Sequence, residues 1–377
     1  MLSSNCSSSA AASVARTILI DVRLAAADSD AVQDTLRVID KHINPLGLQR
    51  KFHMVPLADS QLYVYASDDY LSGMLRVYPS RKLATLTIEE SRQQGAMTNE
   101  DIETLRKKLL LELKTSVVRV PHLKRGAPIN NYYTSAEERL LEYDFNEVLF
   151  EKSSQFQDVK ILKSPTMGAV LFLDDLQNLG ECDLAYTHGL MNFGEYSYAD
   201  KEVLILGGGD GGLLHELLKE KPKFVTMIDI DDMVMQSCRK YLRGACGDTL
   251  DSYEGSNYKV IVGDCLEYLE QYQKEARKFD VVFSDLTDIP IVTAGDGGNV
   301  QQREQWQFLS NVVHSSLRLL KVGGVLQNHA TGKGATAALE AYEKFLATLN
   351  NTHFEKRSRF VHSFLEEWVF YSVHLDK

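Results

Sequence analysis

The stretch Val203-Leu-Ile-Leu-Gly-Gly-Gly-Asp-Gly-Gly212 decides the fold of this 377-residue chain. Four large apolar residues predict a strand that is buried on both faces, and the glycines that follow fit the pattern GxGxxG. A strand that leads through glycines into a helix is typical of a doubly wound α/β sheet. Taken alone, the glycine pattern is also compatible with a mere tight turn.

Strands and helices alternate from this stretch to the end of the chain, which predicts a parallel sheet covered by helices. The predicted strands are Val203–Leu206, Phe224–Ile228, Tyr258–Val262, Phe279–Ser284, Gly323–Leu326 and Trp368–Val373. The predicted helices are Leu213–Glu220, Asp232–Arg243 and Leu266–Ala276. Ligands of such sheets bind beyond the carboxyl ends of the strands, so the residues after each strand are the candidates for a site.

Acidic residues follow four of these strands. Asp210 lies in the glycine loop, and Asp229 follows the second strand, about twenty residues beyond the first glycine. Asp264 and Asp285 follow the third and fourth strands. Each of them alone is typical of a helix cap or a solvated charge. Four at one edge of a sheet, without a lysine or arginine beside them, predict a pocket for a nucleoside and a polycation.

Three further segments precede the α/β domain, which we place at residues 183–377. Residues 1–15 are rich in Ser and Ala and predict a disordered tail, with a transit peptide as the alternative. Residues 16–120 combine β-rich runs with two helices and predict an α+β domain. Residues 121–182 consist of short strands and turns, which predict a small β domain.

Composition limits the classes of function. The net charge of -11 argues against a basic nucleic-acid-binding face and suits a cationic ligand. The five cysteines are scattered, without a CxxC pair, which predicts reduced thiols in the cytoplasm and neither a disulfide frame nor a zinc site. No run is apolar and long enough to span a bilayer, so we expect no membrane partner.

The sequence resembles the aminopropyltransferases of the spermidine/spermine synthase family. The resemblance is carried by Leu204–Gly212, by Asp264-Cys265 and by Asp285-Leu-Thr287. It is closest to the spermine-forming branch at Glu181–Thr187 and Pro222–Asp231. The resemblance implies transfer of an aminopropyl group from decarboxylated S-adenosylmethionine to spermidine, without a metal or cofactor. The products would be spermine and 5'-methylthioadenosine.

The resemblance also implies roles for individual residues. The donor would contact Gly207, Gly209, Gln157, Asp229, Asp264 and Cys265. The polyamine side would involve Tyr186, Asp210, Asp288, Phe364 and Glu366, with Asp210 holding a substrate ammonium. Asp285 matches the proton acceptor of the family. Phe364 replaces a tyrosine of the branch, and Asp288 is an acidic residue typical of spermidine synthases.

Residues 16–120 resemble the S-adenosylmethionine decarboxylase fold, which implies a structural domain that pairs two chains into a homodimer. Three alternative functions remain at this point. The first is spermidine synthesis from putrescine, and the second is methyl transfer from S-adenosylmethionine. Asp210 argues against methyl transfer, because it would face the carboxylate that the methyl donor retains. The third is an inactive relative that only binds a partner.

Overall fold

The protein is described by a computed structural model covering residues 15–54, 59–68, 70–91, 97–135, 138–286, 288–290 and 300–376, with 300–302 described as backbone only. The predicted tail up to residue 14, and Thr287 of the Asp285-Leu-Thr287 motif, lie outside these ranges. The chain divides into two compact units, Met1–Pro128 and Ile129–Lys377.

The first unit is an antiparallel sheet of six strands with helices packed on one face. Its elements are β1 (Ala15–Arg23), α1 (Ser29–Ile43), β2 (Gln49–Met54), β3 (Gln61–Ala66), β4 (Leu71–Tyr78), β5 (Leu83–Glu90), α2 (Asn99–Leu113) and β6 (Val117–Arg125). The strand order is β2-β3-β4-β5-β1-β6. Alternate strand residues and the apolar sides of α1 and α2 form one core. The opposite sheet face carries a row of paired residues: Val64, Met74, Thr87, Leu19 and Val120.

The two edge strands of this sheet were not predicted from the sequence. Every residue of β2 is exposed, so no apolar alternation marks it. β6 contains Pro121, which suits an edge strand because proline has no N–H to donate to a neighbouring strand. β6 therefore continues across the domain boundary that we expected at residue 121.

The second unit begins with the small β part. A hairpin is formed by β7 (Tyr132–Thr134) and β8 (Leu140–Glu142). A sheet in the order β12-β11-β10-β9 follows, from β9 (Glu147–Ser153), β10 (Asp158–Ser164), β11 (Gly168–Leu173) and β12 (Leu176–Gly180). Each neighbouring pair in this sheet is antiparallel, as expected for strands joined by short turns.

The large sheet of the second unit has seven strands in the order β15-β14-β13-β16-β17-β19-β18. Its elements are α3 (Leu184–Met191), β13 (Glu202–Gly207), α4 (Gly212–Lys219), β14 (Phe224–Asp229), α5 (Asp232–Tyr241), α6 (Arg243–Cys246), β15 (Tyr258–Val262), α7 (Cys265–Lys274), β16 (Phe279–Asp285), α8 (Val300–Leu319), β17 (Leu320–Gly332), α9 (Thr336–Leu346), β18 (Thr352–Val361) and β19 (Glu366–Leu375). The first five strands in this order are parallel, and β19 runs antiparallel to both of its neighbours, β17 and β18.

β13, the first strand of this sheet along the chain, is buried on both faces. Val203 and Ile205 belong to a core that includes α4 and α5, whereas Leu204 and Leu206 belong to another that includes α7 and α9. Helices therefore cover both faces, which confirms the predicted doubly wound α/β fold. Of the helices in the described ranges, none is long and apolar enough to cross a membrane.

Candidate active site

Acidic residues from neighbouring strands meet at the carboxyl edge of the large sheet. Gly207 at the end of β13 lies beside Asp285 at the end of β16. Asp229 ends β14 on the other side of β13. The structure thus brings Asp210, Asp229 and Asp285 to one place, as the positions after the strands indicate. Each keeps some accessible surface, which a ligand would need in order to reach it.

The glycine loop packs directly against these carboxylates. Gly207 has φ +82°, and a Cβ placed there would lie 2.0 Å from the Asp285 carbonyl oxygen. The Gly208 N–H donates to that same carbonyl at 3.2 Å. A Cβ on Gly209 would lie 2.6 Å from Asp229 Oδ2. Only glycine allows this close approach, so the loop and the two acidic strand ends form one rigid edge.

Asp285 is held by the hydroxyl of Tyr186, which donates to Oδ1 at 2.9 Å. Tyr186 lies on α3 and is 8% exposed. Burial raises the pKa of Asp285, and the nearby Asp288 adds to this effect, while His329 and the Tyr186 hydroxyl act in the opposite direction. The result is a carboxyl group with a raised affinity for protons, as a proton acceptor for an amine requires.

Burial also raises the pKa values of the two other carboxyl groups in this place, Asp210 and Asp229. Burial, followed by repulsion from Asp285, raises the pKa of Asp210 to about 7. Asp210 Oδ1 accepts a hydrogen bond from the Gly212 N–H at 2.7 Å, which fixes its orientation. Burial raises the pKa of Asp229 to about 6. Within the described residues, neither these two nor Asp285 forms an ion pair with Lys or Arg, so the cluster favours a cationic ligand.

An aromatic group adjoins the acidic cluster. The Phe364 ring lies 5.9 Å from that of Tyr186 and 4.7 Å from that of Trp368. Phe370 approaches Tyr186 from a second side, at 5.4 Å between ring centroids. The Trp368 indole N–H is buried and has no hydrogen-bond partner among the residues that the structure describes. Such rings can line a path for methylene groups and attract ammonium groups by cation–π interaction.

Beyond the aromatic group, Glu366 begins β19 and its side chain is 6% exposed. Arg139, next to β8, contacts its Oε2 at 3.2 Å. Asp288, by contrast, is half exposed and lies 3.3 Å from Nδ1 of His329. The predicted polyamine-side residues therefore lie in two groups: Asp210, Asp288 and Tyr186 of α3 around Asp285, and Phe364 and Glu366 near the start of β19.

The residues predicted to contact a nucleoside donor lie at the helix starts around β14 and β15. Gln157 donates through Nε2 to Asp231 Oδ2 at 3.0 Å, and Asp231 caps α5 just beyond Asp229. Asp264 caps α7 by accepting from the Leu266 N–H at 2.8 Å. Cys265 is buried, which raises the pKa of its thiol to about 12. Gln157 and Asp264 therefore have a structural partner in addition to their predicted role.

Comparison with known proteins identifies the family. Residues 183–376 match the model of the "Spermine/spermidine synthase domain" family. The chain belongs to the spermine/spermidine synthase family. Residues 129–181 match a second family model, described as "Spermidine synthase tetramerisation domain". The two matches together cover the second compact unit, from Ile129 almost to its end.

Individual relatives of the chain agree with that assignment. A polyamine aminopropyltransferase of Yersinia pestis (strain Pestoides F) is 33% identical over 187 residues, which is 48% of this chain and 57% of the relative. A polyamine aminopropyltransferase of Thermotoga neapolitana is 31% identical over 180 residues, which is 47% of this chain and 57% of the relative. The matches therefore span little more than half the length of these relatives.

Two solved structures share the fold. A spermidine synthase in complex with the transition state analogue AdoDATO superposes with a TM-score of 0.54 at 22% identity, covering 65% of this chain and 80% of the other. A spermidine synthase from Thermotoga maritima gives a TM-score of 0.51 at 21% identity, covering 65% and 79%.

Two residues of the site were not predicted from the sequence. The first is His329, which is 6% exposed and lies on β17. Asn328 pairs with Ser284 of β16, so His329, the next residue, lies beside Asp285. Burial disfavours its charge, but contact with Asp288 outweighs this and raises its pKa. The rule that identified the other strand ends would have found it, had β17 been predicted to extend beyond Leu326. Arg139 carried no signal in its local sequence.

Among the residues with described side chains, no group of three or more His, Cys, Asp or Glu is arranged to hold a metal ion.

Proposed function

We propose that this chain transfers an aminopropyl group from decarboxylated S-adenosylmethionine to spermidine, producing spermine and 5'-methylthioadenosine. The observation that carries the proposal is the hydrogen bond between Tyr186 and Asp285, at 2.9 Å, beside the carboxylate of Asp210, which forms no ion pair with Lys or Arg within the described ranges. This arrangement offers one group to accept a proton and another to hold an ammonium. Family membership supports the same class of reaction.

The proposed reaction is a direct displacement. A neutral amine nitrogen of spermidine attacks the aminopropyl carbon attached to the sulfonium, and the C–S bond breaks with its electron pair going to sulfur. The attacking nitrogen then loses a proton to Asp285. The sulfonium is already a good leaving group, so the proposal includes no metal or cofactor. Positioning the amine in line with the carbon supplies much of the acceleration.

Proton transfer is difficult in water because a primary amine has a pKa near ~10.4 and free aspartic acid one near ~3.9. The site reduces the difference between these two pKa values by shifting both of them. Burial raises the pKa of Asp285, and the same surroundings disfavour the charged form of an amine. The Tyr186 hydroxyl orients the carboxylate without neutralising it.

The acceptor end of the site supports spermidine over putrescine. The aromatic group of Tyr186, Phe364 and Trp368 suits a chain of methylene groups, and buried Glu366 lies two residues before Trp368 on the same face of β19. A longer polyamine brings one more ammonium for this additional carboxylate. Asp288 favours the second candidate, spermidine synthesis from putrescine, because an acidic residue there is typical of spermidine synthases.

Product analysis tests the proposal. The full-length protein is incubated with decarboxylated S-adenosylmethionine and either spermidine or putrescine, and the polyamines are separated by chromatography. We expect spermine from spermidine, with kcat/KM at least about tenfold higher than with putrescine. A higher kcat/KM on putrescine would assign the protein to spermidine synthesis. Methylated amines formed from S-adenosylmethionine would assign it to methyl transfer.

We further propose that the first unit pairs two chains into a homodimer in the cytoplasm. The sheet face with Leu19, Met74 and Val120 is not covered by α1 or α2, and Met74 is 43% exposed. A second copy would bury this face by a symmetric contact. The family model named for tetramerisation matches residues 129–181 instead, which makes larger assemblies the alternative.

Light scattering on the intact chain and on its Met74→Glu variant tests this pairing. We expect a dimer for the intact chain and a shift towards monomer for the variant, since a buried charge at the centre of the contact is unfavourable. Thr87→Glu, on the neighbouring strand of the same face, is a second variant. An unchanged dimer in both variants would place the contact elsewhere.

A further inference from the structure

The ion pair between Arg139 and Glu366 joins two distant segments of the chain. Nη2 of Arg139 lies 3.2 Å from Oε2 of Glu366, although the residues are 227 positions apart. The two partners differ in environment: the Glu366 side chain is 6% exposed and that of Arg139 is 54% exposed. The carboxylate is therefore fixed in the protein, whereas the guanidinium reaches it from the surface.

The surroundings of Glu366 make a counter-ion necessary. The Tyr143 hydroxyl donates to the Ser363 carbonyl at 2.8 Å. Burial raises the pKa of Tyr143, and the nearby charge of Glu366 raises it further. Asp183 adds a second negative charge in the same region. A buried carboxylate next to other negative groups is costly unless a cation neutralises it.

We propose that Arg139 is a built-in competitor of the substrate: its guanidinium occupies Glu366 in the empty enzyme, and an ammonium group of the polyamine displaces it. This inference rests on the proposed function, in which Glu366 binds the acceptor. Arg139 thereby sets the acceptor affinity, because only the fraction of protein in which its guanidinium has left Glu366 is ready to bind.

The position of Arg139 suits such an exchange. It lies at the end of the β7–β8 hairpin, where its backbone N–H donates to Ser135 Oγ at 3.1 Å and its carbonyl accepts from the Ser135 N–H at 2.9 Å. The backbone is thus anchored while the long side chain borders solvent. The guanidinium end is half exposed, so Arg139 can be hydrated at small cost once a substrate ammonium replaces it as the counter-ion of Glu366.

Calorimetric binding of spermidine tests this inference without requiring turnover. Wild type, Arg139→Gln and Arg139→Lys are each saturated with 5'-methylthioadenosine and titrated with spermidine. We expect Arg139→Gln to bind spermidine about threefold to tenfold more tightly, because the competing cation is gone. Arg139→Lys keeps a cation and should remain close to wild type. Arg139→Met is a second neutral variant in case the glutamine variant fails to fold.

The same titrations in a Glu366→Gln background show whether Arg139 affects spermidine binding through Glu366 or in another way. There the Arg139→Gln substitution should have no further effect on the Kd, since the shared carboxylate is missing. If Arg139→Gln, with Glu366 retained, bound spermidine more weakly than wild type or equally well, the inference would be overturned and the proposed function would stand. Failure of wild type to bind spermidine would overturn the proposed function itself, and this inference with it.

Discussion

Replacing Asp285 by asparagine should leave the protein folded and lower kcat by about two orders of magnitude or more. Asparagine keeps a carbonyl oxygen that can accept the Tyr186 hydroxyl, so the hydrogen bond of 2.9 Å is retained. It cannot accept a proton from the attacking amine. Burial makes the carboxyl group of Asp285 more basic than usual, and this property is lost with the substitution.

The measurement is kcat as a function of pH for wild type, Asp285→Asn and Tyr186→Phe, with circular dichroism as the check on folding. Tyr186→Phe removes only the orienting hydroxyl and should cost about tenfold. Its pH profile should keep the acidic limb, whereas that limb should disappear in Asp285→Asn. Turnover of Asp285→Asn within a few-fold of wild type would remove Asp285 from the mechanism.

Replacing Asp210 by asparagine should have opposite effects on activity and stability. Without this carboxylate a substrate ammonium loses its partner, and kcat/KM should fall by about 100-fold or more. In the empty protein, however, Asp210 is held beside Asp285 in a buried place. Asparagine can still accept the Gly212 N–H, at 2.7 Å in the wild type, and it carries no charge.

The stability effect has a defined pH range. The pKa of Asp210 rises from its ordinary value of 3.8 to about 7 on folding, so the folded protein resists ionisation and loses stability as the pH rises between these values. Thermal unfolding at pH 5 and pH 8 should show a Tm gain for Asp210→Asn of about 3 °C or more at pH 8 and a smaller gain at pH 5.

Asp183→Asn is the matched control for Asp210→Asn. Asp183 is 1% exposed and accepts hydrogen bonds from the backbone N–H groups of Gly180 and Ser363, at 2.7 and 2.9 Å. These bonds stabilise its charge, so Asp183→Asn should lower the Tm. A lower Tm for Asp210→Asn as well would show that the Asp210 charge does not destabilise the empty site.

The strand-end half of the site could be predicted from the sequence because its signals are local. A buried strand such as β13 is recognised by its apolar residues, and the group that follows it lies at a known edge of the sheet. Asp210, Asp229 and Asp285 were located in this way, and the structure brings them together. Gly207 and Gly209 follow from the same local pattern.

The other half depends on contacts that no local pattern contains. Arg139 and Glu366 meet only after the hairpin and β19 have both been placed. His329 was not predicted because β17 is a long strand, Leu320–Gly332, of which only the part near Gly323–Leu326 was predicted. The edge strands β2 and β18 bury few side chains, so the apolar alternation that marks a strand is weak in them.

The site combines the ends of parallel strands with side chains from a hairpin and from the start of an antiparallel strand, and the two parts can evolve at different rates. Under the proposed function, the transfer chemistry depends on the ends of β13, β14 and β16, whereas the choice of amine depends on the β7–β8 hairpin and the segment Phe364–Trp368. Apart from Tyr186, which contacts both Asp285 and Phe364, the two sets can mutate separately, because they come from different segments of the chain. A lineage could therefore acquire a shorter or longer acceptor through a handful of substitutions while its reaction stays the same.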